Sequence, residues 1–274
     1  MAELRSFLRY PGGKRRMLAF LSQHLPTPPE IKGRFIEPFV GGGAIYFHMQ
    51  PRRALLSDLN AELIDLYRAL KANPSRVWRI YRAYPDTKRG YQRVRDINVQ
   101  QLTLLQSAAR LLFLNRTCFK GMWRHNLKGK FNVGYGGQSR RWSIKRKDLS
   151  FVGQALQRAK LVCSDFEPII ASATADDVLF LDPPYRPGEL EQLHDHYFGK
   201  RFSFEDHRRL AECLATAHRR HVKWFLTVSN HREILRLYRG FSIVPVPKGT
   251  GRQIGALMAK SGEVLITNCP RPLS

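Results

Sequence analysis

Apolar runs of strand length alternate along the chain with stretches whose apolar residues recur every three or four positions. Strand-like runs lie at 35–40, 54–57, 161–164 and 178–181, Val222, Trp224, Leu226 and Val228 alternate as a fifth, and 241–246 with 263–267 predict a hairpin. Helical faces are formed by Met17, Leu18, Leu21 and Leu25, by Leu63, Tyr67 and Leu70, and by His207, Leu210, Leu214 and Ala217. Asn73-Pro74 stops the second of these, and Ser203 with Asp206 has the capping-box spacing that opens the third. Strands and helices in that order predict an α/β fold with a doubly wound sheet. Such a sheet reaches its next strand about 30 residues after the last, yet residue 161 lies 103 positions beyond Asp58. An insertion fills the gap, beginning with helical material that includes the apolar residues 102–114. The expected division is a sheet domain at 1–72 and 155–274, with an inserted domain at 73–154.

The strand ends carry the candidate chemistry. Residues 178–185 read Val-Leu-Phe-Leu-Asp-Pro-Pro-Tyr, an apolar strand stopped by two prolines that can donate no ladder hydrogen bond. Asp182, Pro183, Pro184 and Tyr185 are thereby presented at the carboxyl end of a strand, where open α/β sheets bind ligands. The Asp182 carboxylate and the Pro183 carbonyl suit an exocyclic amino group, and the Tyr185 ring suits the face of a flat base. Glu37, Pro38 and Phe39 lead from the first strand into Gly41-Gly42-Gly43 and a helix, a nucleotide-binding unit. Tyr46 replaces the third glycine of a hydride-transfer cofactor site. Asp58 ends the second strand and either accepts ribose hydroxyls or caps the helix after it. Asp165 and Phe166, after the next strand, either frame a purine or form a plain turn. Near the start, Arg9-Tyr10-Pro11-Gly12-Gly13-Lys14 puts glycines before a helix; Arg15 stands where a phosphate loop needs Ser or Thr, which argues against a Walker motif.

Charge points to the partner. The chain has 46 Lys and Arg against 22 Asp and Glu, a formal net charge of +24, which favours a polyanion such as nucleic acid over a merely basic surface. Residues 116–147 hold ten Lys and Arg and no acid, interleaved with Phe119, Met122, Trp123, Phe131, Tyr135 and Trp142. A solvated face mixes signs, so Arg116, Phe119, Lys120, Met122, Arg124, Asn126, Asn132 and Arg140 are candidate nucleic-acid contacts. Residues 186–202 are expected to form a mobile loop over the substrate, and the basic 248–260 segment is either a DNA contact or disordered. The four cysteines show no metal or disulfide spacing. No metal, no secretory signal and no membrane span are expected, and a cytoplasmic setting fits.

Together these motifs resemble the DNA adenine methyltransferase (Dam) family, the D12-type N6-adenine-specific class. They are R-Y-P-G-G-K at 9–14, E-P-F-V-G-G-G at 37–43, S-D-L-N at 57–60, L-N-R at 114–116, N-L-K-G-K-F-N-V at 126–133, D-P-P-Y at 182–185 and S-N-H at 229–231. The resemblance implies a seven-stranded, Rossmann-like methyltransferase sheet with an inserted, mainly helical recognition domain carrying a basic hairpin. It also implies S-adenosylmethionine as donor, S-adenosylhomocysteine as by-product, and N6-methyladenine in double-stranded DNA made by a monomer with a flipped base. By position Tyr10, Lys14, Asp58 and Asp182 match cofactor contacts, and Asp182 to Tyr185 match the catalytic motif. Arg9 matches the reader of the first base, Arg124 the reader of a distal G·C pair, and Phe119 the aromatic that enters the duplex. Tyr10-Pro11 stands where Trp-Ala is common, Phe119-Lys120 where Tyr-Asn is common, and Gly134 where a base-contacting Pro is known, so a GATC target is an inference. An RNA or cytosine-N4 methyltransferase, or a non-catalytic DNA-binding protein, are the rival readings. The sequence leaves open a restriction partner and an origin in a phage or a bacterial nucleoid.

Overall fold

The computed structural model describes residues 7–9, 14–85, 87–122, 124–126, 130–137, 144–184, 202–247 and 262–269. Tyr10, Tyr185, Arg140, residues 186–201 of the expected mobile stretch and the 248–260 segment lie outside them. In chain order the helices are α1 (Leu18–His24), α2 (Ala44–Met49), α3 (Ala61–Ala72), α4 (Pro74–Ala83), α5 (Lys88–Arg95), α6 (Leu104–Thr117), α7 (Arg146–Leu156), α8 (Phe166–Ala171), α9 (Phe204–Arg219) and α10 (Arg232–Arg236). The strands are β1 (Phe35–Glu37), β2 (Ala54–Asp58), β3 (Ala159–Cys163), β4 (Val178–Leu181), β5 (Lys223–Ser229), β6 (Ser242–Pro245) and β7 (Glu263–Thr267).

Among the described residues the strands make one seven-stranded sheet in the order β3-β2-β1-β4-β5-β7-β6. β1 runs parallel to β2 and β4, and β4 parallel to β5, while β7 is antiparallel to both β5 and β6. The predicted hairpin therefore exists, and β7 also pairs with β5. Register explains the core. Ile36 lies opposite Leu55 and Leu179, Leu179 opposite Trp224, Leu181 opposite Leu226, and Leu226 opposite Ile266, so one face carries continuous apolar rows. Leu210, Leu214 and Ala217 of α9 and Ile169 and Ile170 of α8 close over those rows. Burying each large side chain contributes roughly 1.5–3 kcal/mol. The capping box at Ser203 and Asp206 is formed, with Ser203 N–H donating to Asp206 at 2.8 Å and Asp206 N–H donating back at 3.1 Å. Strand order reverses at the β1/β4 junction, which places the crevice at the carboxyl ends of those two strands.

By contacts the chain divides into two compact units. One holds the described parts of 14–59, 162–195 and 202–274, and the other residues 7–9 with 60–161. The second is helical: α3 packs on α6 and α7, α4 on the same pair, and α5 on α6. Asn73-Pro74 does end α3, and it also starts α4, with Asn73 as N-cap and Pro74 at the first helical position, where its missing N–H costs nothing. Arg110 on α6 is buried and donates to the carbonyls of Val94 and Arg95, satisfying the C-terminal end of α5. No helix among the described residues is long and apolar enough to cross a membrane.

One buried carboxylate ties the entry of β1 to the entry of β4. Asp177 accepts from Arg34 Nη2 at 2.7 Å and from the Thr174 N–H at 2.9 Å, and also from the Arg34 N–H. Burial alone would raise its pKa, but these donors together hold it below the ordinary aspartate value. A depressed carboxyl contributes stability above the ordinary aspartate range and loses it as pH falls through the depressed value. Asp177→Asn should therefore cost about 1.5–2 kcal/mol at neutral pH and flatten the acid limb of the stability curve. Thermal melts from neutral to acidic pH would show this; parallel curves for the two proteins would contradict it.

Candidate active site and nucleic-acid interface

In the sheet unit the side chains converge at the β1/β4 crevice. Asp182, one residue past β4, has a side chain 20% exposed. Its Oδ1 lies 2.8 Å from Lys14 Nζ and accepts from Thr227 Oγ1 at 2.9 Å. Lys14 is buried and also stands 3.6 Å from Glu263 Oε2. The prolines do what their chemistry demands: Pro183 is buried, Pro184 is exposed and the ladder stops. Thr227 and Glu263 were not among the residues expected from the sequence. Leu181 pairs with Leu226 and Ser229 with Glu263, so β5 sets Thr227 beside Asp182 and β7 delivers Glu263 to the same end. Only strand register, which a single sequence does not reveal, brings them there.

Glu37, the last residue of β1, is 3% exposed, and its Oε1 has no hydrogen-bond donor among the described residues. Burial raises its pKa well above the ordinary carboxylate value; the Tyr46 N–H opposes this and the nearby Asp182 charge adds to it. The chain then turns through Gly41 (φ 46°) and Gly43 (φ 65°) into α2, left-handed conformations that favour glycine. Asp58 is not the cap of α3. Asn60 fills that role, accepting from the Leu63 N–H at 3.1 Å. Asp58 instead faces the glycine loop and accepts the Gly41 N–H at 3.0 Å. A buried carboxyl oxygen awaiting a donor, a glycine loop and a carboxylate at the end of β2 form a donor and acceptor set that fits an adenosyl cofactor carrying an ammonium group and ribose hydroxyls.

The 165–166 pair is neither a plain turn nor an open ring platform. Asp165 caps α8 through the Glu167 N–H at 2.9 Å and receives Arg209 on both oxygens, at 2.8 and 3.0 Å. Phe166 is buried, packed on Phe39 with ring centres 5.4 Å apart and covered by the Arg209 guanidinium at 4.2 Å. Burial would raise the Asp165 pKa, but the Arg209 bonds lower it overall.

In the helical unit, Arg9 is held by its backbone. Asn115 on α6, fully buried, accepts the Arg9 N–H at 2.8 Å and donates to the Arg9 carbonyl at 2.7 Å. The Arg9 side chain runs over Gly121, where an added Cβ would come within 2.5 Å of Arg9 Cδ. Lys120 (φ 54°) and Gly121 (φ 67°) turn the chain sharply after α6, and Phe119 is left 44% exposed with Lys120 Nζ 5.3 Å from its ring centre. Isolated antiparallel bridges at Cys118–Tyr135 and His125–Phe131 show the expected hairpin. On it Arg124 Nε donates to Asn132 Oδ1 at 3.0 Å, so Asn132 orients the guanidinium. Asn126 is tied to the facing segment, its side chain accepting the Lys130 N–H at 3.0 Å. Met122 is half-buried, with the Cys118 thiol donating to its carbonyl. Tyr91 on α5 donates to the Val133 carbonyl at 2.8 Å and props the hairpin from behind. Arg116 stands apart from this set. It is 5% exposed, with its pKa pushed down to about 10 by burial, and lies inside the helical unit rather than on its surface. Asn115 was missed because its partner is 106 residues away.

A family model for D12 class N6 adenine-specific DNA methyltransferases matches residues 10–249. The chain is similar to DNA N-6-adenine-methyltransferase of Escherichia phage P1, 39% identical over 248 residues covering 88% of this chain and 32% of that protein. It is 32% identical over 280 residues to the DNA adenine methylase of Vibrio cholerae serotype O1 strain O395, covering 98% of each. It is 30% identical over 276 residues to the type II methyltransferase M1.LlaDCHI of Lactococcus lactis subsp. cremoris, covering 97% and 95%. The chain thus spans about a third of the phage protein's length (32%) and nearly the whole of the other two. Methyltransferases of this kind draw their methyl group from S-adenosylmethionine. Matched over most of its length and carrying a carboxylate-tipped strand beside a cofactor-type crevice, the chain belongs to the D12 class of N6 adenine-specific DNA methyltransferases.

Proposed function

We propose that this DNA adenine methyltransferase acts on duplex DNA as a monomer, extrudes one adenine and methylates its N6 at Asp182. The observation that carries this reading is the Lys14–Asp182–Thr227 cluster at the tip of β4, next to the buried, donor-seeking Glu37. A stacked amino group cannot reach a buried donor, so the base leaves the duplex at a cost of roughly a few kcal/mol. S-adenosylmethionine, when bound, would supply an electrophilic methyl group on sulfur, leaving S-adenosylhomocysteine as the by-product. Lys14 and Thr227 both engage Oδ1 and fix the carboxylate plane. Asp182 and the Pro183 carbonyl accept the N6 hydrogens, turn the nitrogen lone pair towards the incoming carbon and stabilise the positive charge that develops there. As the N–C bond forms and the S–C bond breaks, one N6 proton would pass along its hydrogen bond to Asp182 and from there to water. A neutral thioether is a good leaving group, so the transfer calls for neither a metal nor a covalent enzyme intermediate. Glu37 and the Pro38-Phe39 turn, with Gly41, Gly43 and Asp58, would hold the cofactor, Glu37 facing its ammonium and Asp58 its ribose; Tyr10 and the Asp165-Phe166 cluster would complete its surroundings. Tyr185 stacks on the extruded base.

Recognition falls to the insert at 73–154 together with Arg9. Arg9 and Arg124 read base edges, Phe119 enters the stack, and Lys120, Met122, Asn126, Asn132 and Arg140 support backbone contacts, with GATC as the candidate site. DNA in the cytoplasm of a bacterium or phage-infected cell is the expected substrate. Labelled methyl donor incubated with DNA and with RNA, followed by nucleoside analysis, tests the chemistry: label is expected in N6-methyladenine from duplex DNA, whereas label in RNA, in cytosine or nowhere overturns it. Mapping modified positions on a sequenced plasmid gives the site. Arg124→Ala should relax choice at a single position by about 1–3 kcal/mol; uniform weakening across all sequences would make Arg124 a phosphate contact instead.

A further inference from the structure

Helices α4 and α5 carry cations where helix electrostatics disfavours them. Arg76 lies in the first turn of α4, Lys88 and Arg89 open α5, and neither first turn contains an acid. The partial positive charge of a helix N-terminus repels such groups. Arg76, Arg79 and Arg82 also recur every third residue, so like charges neighbour one another on the exposed side of α4, away from buried Val77 and Tyr81. Lys88, Arg89 and Arg93 are exposed on α5, and neither helix contains Asp or Glu. None of these six has a carboxylate partner among the described residues, whereas Arg95, at the end of α5, is paired with Asp96 at 2.9 Å. On these two helices, then, the described residues pair the cation at the C-terminal end of α5 with a carboxylate and none of the six at or near the N-terminal and outer positions. An isolated protein pays for that arrangement in self-repulsion, and a polyanion relieves it.

We propose that the exposed faces of α4 and α5 form a second, sequence-independent DNA-binding surface that takes the sugar-phosphate backbone of duplex flanking the methylated site. This rests on the reading that the protein acts on duplex DNA. All six residues are distinct from Arg9 and lie outside the 116–147 segment that carries the other base-reading candidates, and exposed Arg and Lys side chains without carboxylate partners suit phosphates, whose contacts position a protein without reading sequence.

The test uses the full chain and its R76Q/R79Q/R82Q variant, with K88Q/R89Q/R93Q as a second set. Fluorescence anisotropy is read on a 12-base-pair duplex carrying one methylatable site and on a 60-base-pair duplex with the same site at its centre. Losing three phosphate contacts should make the log-affinity against log-salt slope on the long duplex shallower by about 2.7, at about 0.9 per phosphate. Between 50 and 200 mM salt, wild type should then lose roughly 40-fold more affinity than the variant. Binding and methylation of the short duplex should be unchanged, and the free variant should melt at the same or a higher temperature because repulsion has been relieved. Equal slopes on the long duplex, equal losses on both lengths, or a lower melting temperature with weaker binding would overturn the proposal. So would a wild-type preference for RNA of equal length that the variant loses. If wild type methylates neither duplex, the enzymatic reading fails, yet the length and salt dependence of binding still decides this surface.

Discussion

Asp182→Ala should lower methyl transfer by roughly three orders of magnitude and leave affinity for duplex DNA within a few-fold of wild type. Removing one preorganised group that stabilises developing charge costs on the order of 10²–10³ in rate, and Asp182 is also asked to align the amino group, which adds a positioning loss. The separation of effects follows from where the residue sits. It is in the sheet unit, at the tip of β4, bonded to Lys14 and Thr227, whereas the base-reading candidates Arg9 and Arg124 belong to the helical unit. Single-turnover transfer of labelled methyl and fluorescence anisotropy on the same duplex read the two quantities independently. The Asn variant sharpens the test. It retains an acceptor for Thr227 and for the amino group but removes the charge facing buried Lys14, so it should fall between wild type and Ala. Turnover near the wild-type rate in Asp182→Ala, in protein that melts normally, would remove Asp182 from the chemistry.

How far the sequence reaches is clearest at this same site. Asp182 was legible because its signal is local: a buried strand followed by two prolines can only stop and present what lies at its end. The same holds for the 203–206 capping box and for the glycines at 41 and 43, whose left-handed backbone angles are ones that glycine adopts without steric cost. What was hidden is long-range. Thr227 and Glu263 reach Asp182 and Lys14 through the register of β5 with β4 and of β7 with β5. Asn115 grips a residue 106 positions away. Arg116 and Arg110 looked like any other basic residue, and burial, which depends on the packing of the whole helical unit, separates them from Lys120 and Arg124. Asp58 and Asp165 show the limit in another way. Both lie between a strand and a helix, but Asp165 stands two residues past the end of β3 and caps the helix that follows, while Asp58 is the last residue of β2, and Asn60, two residues on, takes the cap and leaves Asp58 to the glycine loop. The cap falls at the same offset from both strands, and a two-residue difference in where the aspartate stands decides whether it becomes that cap.

Glu37→Gln should weaken S-adenosylmethionine binding by roughly 100-fold and abolish its dependence on pH, with DNA affinity preserved. A hydrogen bond between charged partners in a buried site is worth about 1.5–3 kcal/mol, and Gln retains shape while losing the charge that an ammonium group would pair with. The sign of the pH effect follows from burial. Because the pKa of Glu37 is raised, the folded, cofactor-free protein keeps a proton there at pH values where the unfolded chain has released it. Its stability therefore declines as pH rises from the ordinary carboxylate range towards the raised value. A cation arriving at Oε1 favours the ionised form, so binding expels that proton and affinity improves as pH rises through the same window. Titration calorimetry in buffers of different ionisation enthalpy counts the proton directly. Wild type should release one on binding and Glu37→Gln none, and the cofactor-free variant should lose the downward slope of stability with pH. Wild-type affinity in the variant, or no proton released by the native enzyme at any pH, would mean that the buried carboxyl of β1 meets some group other than the cofactor's amine.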